Sequence, residues 1–424
     1  MLDKILGFIR KFIPKKVFSF FQPFYHITLS FLGALFYRFP SRKIKILGIT
    51  GTKGKSSTVE IVNKILEEAG IKTAIAGTIR FKIGDSSKRN LYKMTMPGRF
   101  AMQKFLRDAV SAGCQWAIIE MTSEGTKLYR HKFIELNSLI FTNISPEHIE
   151  AHGSYEKYLE AKLKIAKSLE KSSKKERFII ANADDKESRH FLDINVEHKR
   201  SFSLKEMEPY KIRDGGLSFT FNKTQMESNL QGLFNLYNLL SGIVFAESIG
   251  ITTEVMRRAI ENIQIKGRVE KVEEGQNFPV VVDYAHTIDS LQKFYEVFKD
   301  RNNVCVLGNT GGGRDKWKRK GMAEIAEKYC TKIILTNEDP YDEDPRAIVE
   351  QMAEGIKNKE KLEIIMDRRE AIRKALEKAP SIEKSSVLIT GKGTDPYIME
   401  AGGKKTPWSD EEVAREELRK MLGK

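Results

Sequence analysis

The chain has few cysteines and no pattern that uses them. Its three cysteines, Cys114, Cys305 and Cys330, are far apart in 424 residues. They lack the close spacing of a zinc site and show no sign of a disulfide framework. This usage suits a reducing cytoplasm and argues against a structural zinc ion.

The sequence also lacks the features of a nucleic-acid-binding protein, although its formal net charge is +15. Basic residues alternate with acidic ones through most of the chain, as on solvated helix faces, and no stretch combines basic and aromatic residues as RNA-binding motifs do. Nucleic-acid binding is therefore the weaker interpretation of the charge, and a multiply anionic substrate or an anionic membrane surface suits it better.

Residues 1–43 contain no clean membrane span. The uncharged run 17–37 is long enough to cross a bilayer, but Pro23 lies in its middle among polar side chains. The preceding residues alternate apolar and basic side chains, as in an interfacial amphipathic helix, and no signal-peptide cleavage site follows. Packing on the protein or on a second subunit, and peripheral attachment to a membrane, remain equal alternatives, with a true span third.

The strongest motif is Lys45–Val59, where a β-branched run leads through G-T-K-G-K-S into a segment of helical periodicity that ends at Gly70. A glycine-rich turn before a helix cradles phosphate with backbone N–H groups, while the lysine meets the outer phosphates and the serine hydroxyl can bind Mg²⁺. We therefore predict a nucleoside triphosphate site. Its residues are Gly51, Thr52, Lys53, Gly54, Lys55, Ser56 and Ser57.

Alternating apolar runs and amphipathic segments predict an α/β fold with a mostly parallel sheet. Strands are predicted at 44–49, 116–121, 139–143 and 178–182, and, in a second α/β unit, at 280–283, 304–307, 333–336 and 387–390. The predicted domains are a P-loop central domain over 44–265 and a Rossmann-like C-terminal domain over 266–424.

Two further candidate residues, Glu120 and His148, stand beyond the ends of predicted strands, where chemistry collects in such sheets, and a third, Lys162, lies on the helix that follows. Glu120 ends a predicted strand and could hold Mg²⁺ beside the phosphate loop. Alone, His148 would more often be a satisfied histidine than a ligand, and nothing local distinguishes Lys162 from Lys157 or Lys164.

Together these motifs resemble the Mur ligase family, which builds the peptide of peptidoglycan with ATP, and most closely its tripeptide synthetase branch. The resemblance runs from about Lys45 to the C-terminus. It implies ATP, two Mg²⁺ ions and N-carbamylation of Lys162, which with His148 would hold one ion while Glu120 holds the other near the γ-phosphate. Lys55, Glu120, His148 and Lys162 would then be the catalytic set.

The resemblance also assigns substrate contacts. Thr95 and Pro97 flank Met96 in a variant of the family's Thr-Thr-Pro, and Ser123 and Arg130 fall where the family places groups near the muramyl peptide. Other motif residues would contact the nucleotide, the asparagines by reading adenine: Asn235, Asn238, Arg268, Asp283, His286, Arg314 and Lys316.

The acceptor amino acid is expected to meet Glu338, Asp339, Tyr341, Gly391 and Asp395. Tyr341 takes the place of an arginine that recognises the free carboxylate of diaminopimelate in the family. Because tyrosine cannot copy an arginine fork, lysine or another diamine becomes plausible, with the nearby carboxylates attracting its ammonium group.

The expected activity is ATP-dependent amide-bond formation between an amino acid and a UDP-muramyl-dipeptide-like carboxylate, by a cytoplasmic monomer in cell-wall precursor synthesis. A folylpolyglutamate synthetase-like ligase, a non-catalytic ATP-binding scaffold and an ATPase that drives motion are the alternatives. Only about 43 residues precede the phosphate loop, whereas tripeptide synthetases carry a UDP-binding domain of roughly a hundred residues there, a usual domain size. We expect that this short segment replaces that domain, or that the donor is not held through UDP in the usual way.

Overall fold

The computed structural model describes residues 15–147, 152–213, 215–314 and 316–424. The described residues form two compact units. The first contains the chain up to Ser203 together with Leu240–Thr252, and the second contains Leu204–Leu239 and Thr253–Lys424. The chain therefore passes from the first unit to the second, back, and to the second again.

The first unit is built on an eight-stranded sheet in the order β4-β3-β2-β5-β1-β6-β7-β8. The strands are β1 (Lys45–Thr50), β2 (Thr73–Ala76), β3 (Arg80–Ile83), β4 (Ser86–Arg89), β5 (Trp116–Glu120), β6 (Ser138–Phe141), β7 (Phe178–Asn182) and β8 (His198–Phe202). Strands β2 and β5 to β8 run parallel to β1 or to one another in the ladder, and β3 and β4 add an antiparallel edge.

Helices cover this sheet because its central strands are apolar on both faces. In β5 every residue is buried, which is the pattern of a parallel strand between two helical layers. The helices are α1 (Lys15–Phe36), α2 (Lys55–Glu68), α3 (Arg99–Ser111), α4 (Ser123–Lys127), α5 (Tyr155–Glu170) and α6 (Ser188–Leu192). Part of α7 (Leu233–Ser248) also packs here, where Gly242 approaches Ile61 of α2.

The second unit contains a six-stranded sheet in the order β12-β13-β17-β14-β15-β16. Its strands are β12 (Glu270–Lys271), β13 (Val280–Asp283), β14 (Asn302–Leu307), β15 (Cys330–Leu335), β16 (Leu362–Ile364) and β17 (Ser385–Thr390). Alternate side chains of β14 enter two different apolar clusters, Cys305 and Leu307 in one and Val304 and Val306 in the other. Both faces of this sheet are thus covered.

Smaller elements complete the second unit. A three-stranded antiparallel sheet contains β9 (Tyr210–Arg213), β10 (Gly216–Phe221) and β11 (Thr224–Ser228), and a hairpin pairs β18 (Tyr397–Met399) with β19 (Lys405–Pro407). The remaining helices are α8 (Thr253–Glu261), α9 (Ile288–Val297), α10 (Lys318–Tyr329), α11 (Pro345–Ala353), α12 (Arg368–Lys378) and α13 (Asp410–Met421). The predicted α/β architecture with a mostly parallel sheet in each part is confirmed.

The cysteine prediction is wrong for one pair. Cys305 in β14 and Cys330 in β15 form a disulfide, and Cys114 is a buried free thiol. The two cysteines are separated by 25 positions of sequence, and no residue pattern indicates that they pair, because it is the parallel adjacency of the two strands that brings the sulfurs together.

Helix α1 lies against the first unit through small and polar side chains, of which Ser30 and Ala34 are fully buried. Ser30 Oγ donates a hydrogen bond to the Tyr129 carbonyl at 3.0 Å. Among the described residues, no helix is long and apolar enough to cross a bilayer. The amphipathic pattern predicted before Lys15 lies outside the described residues.

Candidate active site

The phosphate loop connects β1 to α2 and lies at the carboxyl ends of three parallel strands. Gly51 has φ of +150°, and a Cβ atom there would lie 2.0 Å from Thr142 Oγ1, so only glycine fits. Gly54 precedes α2 with φ of +83°. The loop is held from the end of β6, where Asn143 Oδ1 accepts from the Lys53 N–H at 2.9 Å and Thr142 Oγ1 donates to the Lys53 carbonyl at 2.8 Å.

Two lysines converge on one carbonyl of this loop. Lys55 Nζ donates to the carbonyls of Gly51 and Thr52 at 3.0 and 2.9 Å, and Lys162 Nζ donates to the same Gly51 carbonyl at 2.6 Å. Helix α5 therefore carries Lys162 to the loop, while Lys164 on the same helix is exposed. This convergence is what distinguishes Lys162 from its neighbours.

The environment of Lys162 disfavours its charge. The side chain is buried and contacts the ring of Tyr158, with Nζ 4.7 Å from the ring centroid. Burial and then repulsion from Lys55 hold the pKa of Lys162 well below its ordinary value, although Glu147 and Glu120 oppose the shift. A buried amine of this kind is neutral more readily and can act as a nucleophile.

Glu120 ends β5 beside the start of α2. Its two carboxylate oxygens accept from Ser56 Oγ at 3.2 and 3.1 Å, and Oε2 also accepts from the Thr78 N–H at 2.8 Å. A buried carboxylate and a hydroxyl beside a phosphate loop are the oxygen donors that Mg²⁺ prefers. The chemistry of Glu120 and Ser56 therefore fits a magnesium ion, and their role as ligands stays a prediction, whereas His148 lies outside the described residues.

The other loop residues have structural partners. Lys53 Nζ forms an ion pair with Glu147 at 2.9 Å, Thr52 Oγ1 contacts Tyr158 Oη at 3.0 Å, and Ser57 is buried in α2. Burial raises the pKa of Tyr158, so the phenol stays protonated and holds Thr52.

The predicted donor residues lie at the same edge of the sheet. Thr95 Oγ1 is 2.7 Å from Thr78 Oγ1. Because the Thr78 N–H donates to Glu120, Thr95 is linked to Glu120 through this one residue. Arg130 donates to the Met96 carbonyl. The Met96 side chain is buried against Gly125, so this departure from the family's threonine is a packing residue, next to the buried Pro97.

Two residues at this edge were missed by the sequence analysis. His152 Nε2 is 3.1 Å from Ser123 Oγ, and its only sequence signal was its position four residues after His148. Arg99, at the start of α3, donates to the Leu128 carbonyl at 2.6 Å. Burial and the neighbouring Arg130 lower the pKa of Arg99, so two half-buried arginines face a common region that suits an anionic substrate.

The predicted nucleotide residues of the second unit are held in local networks. Asn235 and Asn238 are buried on α7, where Asn238 Nδ2 donates to Asn235 Oδ1 at 2.9 Å. Asp283 accepts from the N–H groups of Val269 and Ala285 at 2.8 and 2.7 Å, as a turn-fixing carboxylate does.

The neighbouring motif residues are cationic or aromatic. The Arg268 guanidinium lies 4.5 Å from the centroid of the Tyr284 ring, which packs against His286. Arg314 lies 5.9 Å from the Tyr341 ring, and Lys316 pairs with Glu343 at 3.1 Å. These side chains supply positive charge on the second unit.

The predicted acceptor residues form a buried charged cluster. Lys392 Nζ pairs with Asp339 at 2.8 Å and with Asp395 at 3.1 Å. Glu338 accepts from Thr310 Oγ1 at 2.9 Å through one oxygen, while Oε2 is buried without a hydrogen-bond partner among the described residues. A Cβ at Gly391, where φ is +107°, would lie 2.2 Å from that Oε2.

Burial raises the pKa of Glu338, and Arg368 and Lys392 only partly oppose the shift. Tyr341 has φ of +52°, and its ring packs against Gly312. The cluster brings Glu338, Asp339, Gly391 and Asp395 together and leaves one carboxylate oxygen for a polar ligand.

A phosphate loop with an adjacent carboxylate of the kind that binds magnesium, in a chain with a second α/β unit, is typical of a nucleotide-dependent enzyme. Sequence models of the Mur ligase middle domain and of the Mur ligase glutamate ligase domain match residues 49–246 and 267–393. The chain belongs to the Mur ligase family, and it is an ATP-dependent acid–amino acid ligase.

Curated relatives agree along most of the chain. A UDP-N-acetylmuramoyl-L-alanyl-D-glutamate–2,6-diaminopimelate ligase of Syntrophomonas wolfei is 34% identical over 92% of this chain and 82% of its own length. The ligase of the same name from Aquifex aeolicus is 33% identical over 90% of this chain and 79% of its own length.

Solved structures support the same fold. A UDP-N-acetylmuramoyl-L-alanyl-D-glutamate–2,6-diaminopimelate ligase aligns with a TM-score of 0.61 and 25% identity, over 89% of this chain and 79% of its own. Folylpolyglutamate synthase of Mycobacterium tuberculosis aligns with a TM-score of 0.71 over 87% of this chain and 92% of its own, but at 15% identity it shares the fold alone.

Proposed function

We propose that this ligase joins an amino acid with a second amino group to the free carboxylate of a UDP-N-acetylmuramoyl-L-alanyl-D-glutamate donor or a close relative of it. The observation that carries the proposal is the convergence of Lys55, Lys162, Ser56 and Glu120 on one phosphate loop, in a chain whose relatives bear the name of that reaction.

The chemistry has two balanced steps. A donor carboxylate oxygen attacks the γ-phosphorus of ATP, the bond to the bridging oxygen breaks, and an acyl phosphate and ADP result. The acceptor amine then attacks the acyl carbon, phosphate leaves, and the amine loses a proton to give the amide. Lys55 would leave the loop carbonyls that it contacts in this structure and stabilise the negative charge on the transferred phosphoryl group.

Ser56 and Glu120 would hold Mg²⁺, which when bound neutralises phosphate charge. Lys162 would hold a second ion as a carbamate, together with His148. Its depressed pKa supports this, because only the neutral amine forms the N–C bond with CO₂ and then loses a proton. The carbamate supplies the oxygen ligands that a hard cation requires.

The acceptor would bind at the cluster around Glu338. Its buried Oε2 lacks a hydrogen-bond partner among the described residues and could accept from the acceptor's ammonium group. Tyr341 offers no bidentate contact to a second carboxylate, whereas the relatives are named for diaminopimelate. Both diaminopimelate and lysine are therefore acceptors to compare directly.

We further propose that residues 44–265 provide the ATP-binding part and residues 266–424 the acceptor part, with Asn235 and Asn238 reading adenine and Arg268, Asp283, His286, Arg314 and Lys316 bordering the nucleotide. Thr95, Pro97, Ser123 and Arg130 would contact the donor. The proposed working form is a cytoplasmic monomer that uses small-molecule substrates.

Mass spectrometry of the products tests the proposal. The purified protein is incubated with ATP, Mg²⁺, UDP-N-acetylmuramoyl-L-alanyl-D-glutamate and equal lysine and diaminopimelate. We expect a product whose mass equals donor plus one amino acid minus water, with matching ADP. Glu120→Gln should lower the rate at least about 100-fold, the scale of losing a charge-stabilising group, while Glu160→Gln on the exposed face of α5 should leave it unchanged.

Product absent with this donor but present with a folylglutamate would refute the donor and favour the folylpolyglutamate alternative. ATP hydrolysis without any amide would refute ligation and favour a motion-driving ATPase. ATP binding without turnover would favour the scaffold alternative.

A further inference from the structure

Helix α1 exposes large apolar side chains along one face. Tyr25, Phe31, Leu32, Leu35 and Phe36, which we call the outer stripe, recur at spacings of three, four and seven residues and are 38, 42, 44, 51 and 71% exposed. Such spacings place side chains on one face of a helix. Phe100 of α3 is 41% exposed and extends the stripe, with its ring centroid 6.5 Å from that of Phe36.

The opposite face of α1 is the one that meets the protein, and it is small and polar. Ser30 and Ala34 are buried there, and the His26 side chain is only 9% exposed. This arrangement reverses the usual one, in which a surface helix buries its large apolar residues and exposes its polar ones. A contiguous exposed apolar surface of this kind marks an interaction site.

The stretch of sequence that contains the stripe carries charge of one sign. From Lys4 to Val59 the sequence contains no aspartate or glutamate. Its basic residues are Lys4, Arg10, Lys11, Lys15, Lys16, Arg38, Arg42, Lys43, Lys45, Lys53 and Lys55. Arg38, Arg42 and Lys43 follow the helix and are exposed, and Arg42 also pairs with Glu135 at 2.8 Å.

We propose that the outer stripe docks on an anionic lipid bilayer, with α1 lying in the interface parallel to the membrane plane. Apolar burial and attraction of basic residues to anionic headgroups are the two contributions that hold interfacial helices. The proposed attachment is peripheral, and no helix among the described residues is long and apolar enough to span the bilayer.

The charge selects the bilayer over two other occupants. A second copy placed symmetrically on the stripe would bring two basic segments together, because a twofold interface repeats the same surface on both partners. Residues 1–14 of this chain are themselves basic and would meet Arg38, Arg42 and Lys43. Anionic lipid is attracted by all of them.

Docking would also fix where the membrane lies relative to the proposed donor site. Helix α1 contacts the segment that carries Arg130. Its inner face does so through Ser30 on Tyr129, and the stripe residue Phe31 does so at the edge of the stripe, where its half-exposed ring lies 5.5 Å from that of Phe133. The membrane would therefore lie next to the donor-binding edge of the first unit. The docking itself requires no turnover and stands apart from the proposed reaction.

Flotation with vesicles tests the proposal on the full chain. We expect flotation with vesicles of phosphatidylcholine and phosphatidylglycerol, little with phosphatidylcholine alone, and weaker binding in high salt because screening shortens the range of charge attraction. Leu35→Gln combined with Phe36→Gln should weaken binding at least about tenfold, since each side chain contributes roughly 1.5–3 kcal/mol when fully buried. Ile212→Gln, at an exposed apolar position of β9, is the matched control.

Maleimide labelling of Leu35→Cys separates the occupants, because Cys114 is buried and the other two cysteines form a disulfide. Rapid labelling that anionic vesicles slow at least tenfold supports the proposal, with Ile212→Cys not slowed. Three results would overturn it. Slow labelling that speeds up on dilution indicates a second copy, slow labelling at every concentration indicates cover by residues of this chain, and rapid labelling unaffected by vesicles indicates no docking.

Discussion

Lys162 shows how much of a residue's chemistry depends on its surroundings. On the sequence it is one of several lysines in an amphipathic segment, and only the resemblance to a family selected it. The fold places its Nζ on the Gly51 carbonyl in a buried position beside Lys55. Lys164, two residues later on the same helix, is exposed and pairs with Glu160.

We predict that Lys162 is carbamylated. After exchange into ¹³C-bicarbonate, the wild-type protein should give a carbamate carbon signal by NMR that Lys162→Ala lacks. Activity of that variant should fall at least about 100-fold, as expected when an ion-holding group is removed. Lys164→Ala should keep both the signal and the activity. A signal that persists in Lys162→Ala would assign the carbamate to another amine.

We predict that the contribution of Glu338 to the free energy of unfolding falls as pH rises. Its pKa is raised by burial, so above the ordinary carboxyl pKa the unfolded chain ionises first and the folded state is disfavoured. Glu338→Gln removes this effect. We expect the two proteins to have nearly equal melting temperatures near pH 4, and the variant to become more stable by a few degrees as pH rises towards 8.

Asp342→Asn is the control for this measurement. Asp342 lies on the same loop, is exposed, and accepts from the Gly402 N–H at 2.8 Å. A gap between wild type and Glu338→Gln that does not change with pH would contradict the assignment of the effect to ionisation.

At the scale of helices and strands, the same substitution should have opposite effects in two helices. A Cβ at Gly242 of α7 would lie 2.8 Å from Ile61 Cγ2, whereas one at Gly33 of α1 would meet Phe100 at an ordinary 3.6 Å. Gly242→Ala should destabilise by about 1–3 kcal/mol through overpacking. Gly33→Ala should stabilise by about 0.5–1 kcal/mol through helix propensity. Urea unfolding measures both, and equal signs would contradict this account.

The sequence predicted the elements whose patterns are local. Strand β1, the loop and α2 were placed within a few residues, because a buried parallel strand, a glycine turn and a helical repeat each have their own signature. Strands β3 and β4 were missed, since each has only four residues, β3 alternates basic with apolar side chains and β4 is polar and mostly exposed, as a loop would be. The outer stripe of α1 was also hidden, because periodicity shows that a helix has an apolar face but not which way the face points.

The site was predicted least well where residues act through distant partners. His152 meets Ser123, and Arg99 meets Leu128, across 29 positions of sequence each. The disulfide between Cys305 and Cys330 likewise follows from strand order, which no residue pattern near the cysteines encodes.

For the whole molecule, we predict two unfolding transitions. The described residues form two compact units. All-or-none unfolding is the behaviour of small single domains, and proteins with more than one domain depart from it. In calorimetry of the full chain, Gly242→Ala should shift only one transition and Glu338→Gln only the other, because these residues belong to different units. A single transition moved by both variants would show that the units unfold together.

The path of the chain between the units also bears on synthesis. Leu204–Leu239 belong to the second unit, but Leu240–Thr252, which follow them in the chain, belong to the first. Within Leu240–Thr252, Phe245 packs edge-on against Trp116, and Ser241 Oγ lies 3.1 Å from Thr58 Oγ1. On the ribosome, where chains emerge from the N-terminus, the core of the first unit is therefore completed only by residues made about forty to fifty positions after its last strand, β8 (His198–Phe202). A pause in translation just after Ser203 would leave that core open, with the apolar surface of α2 exposed to chaperones.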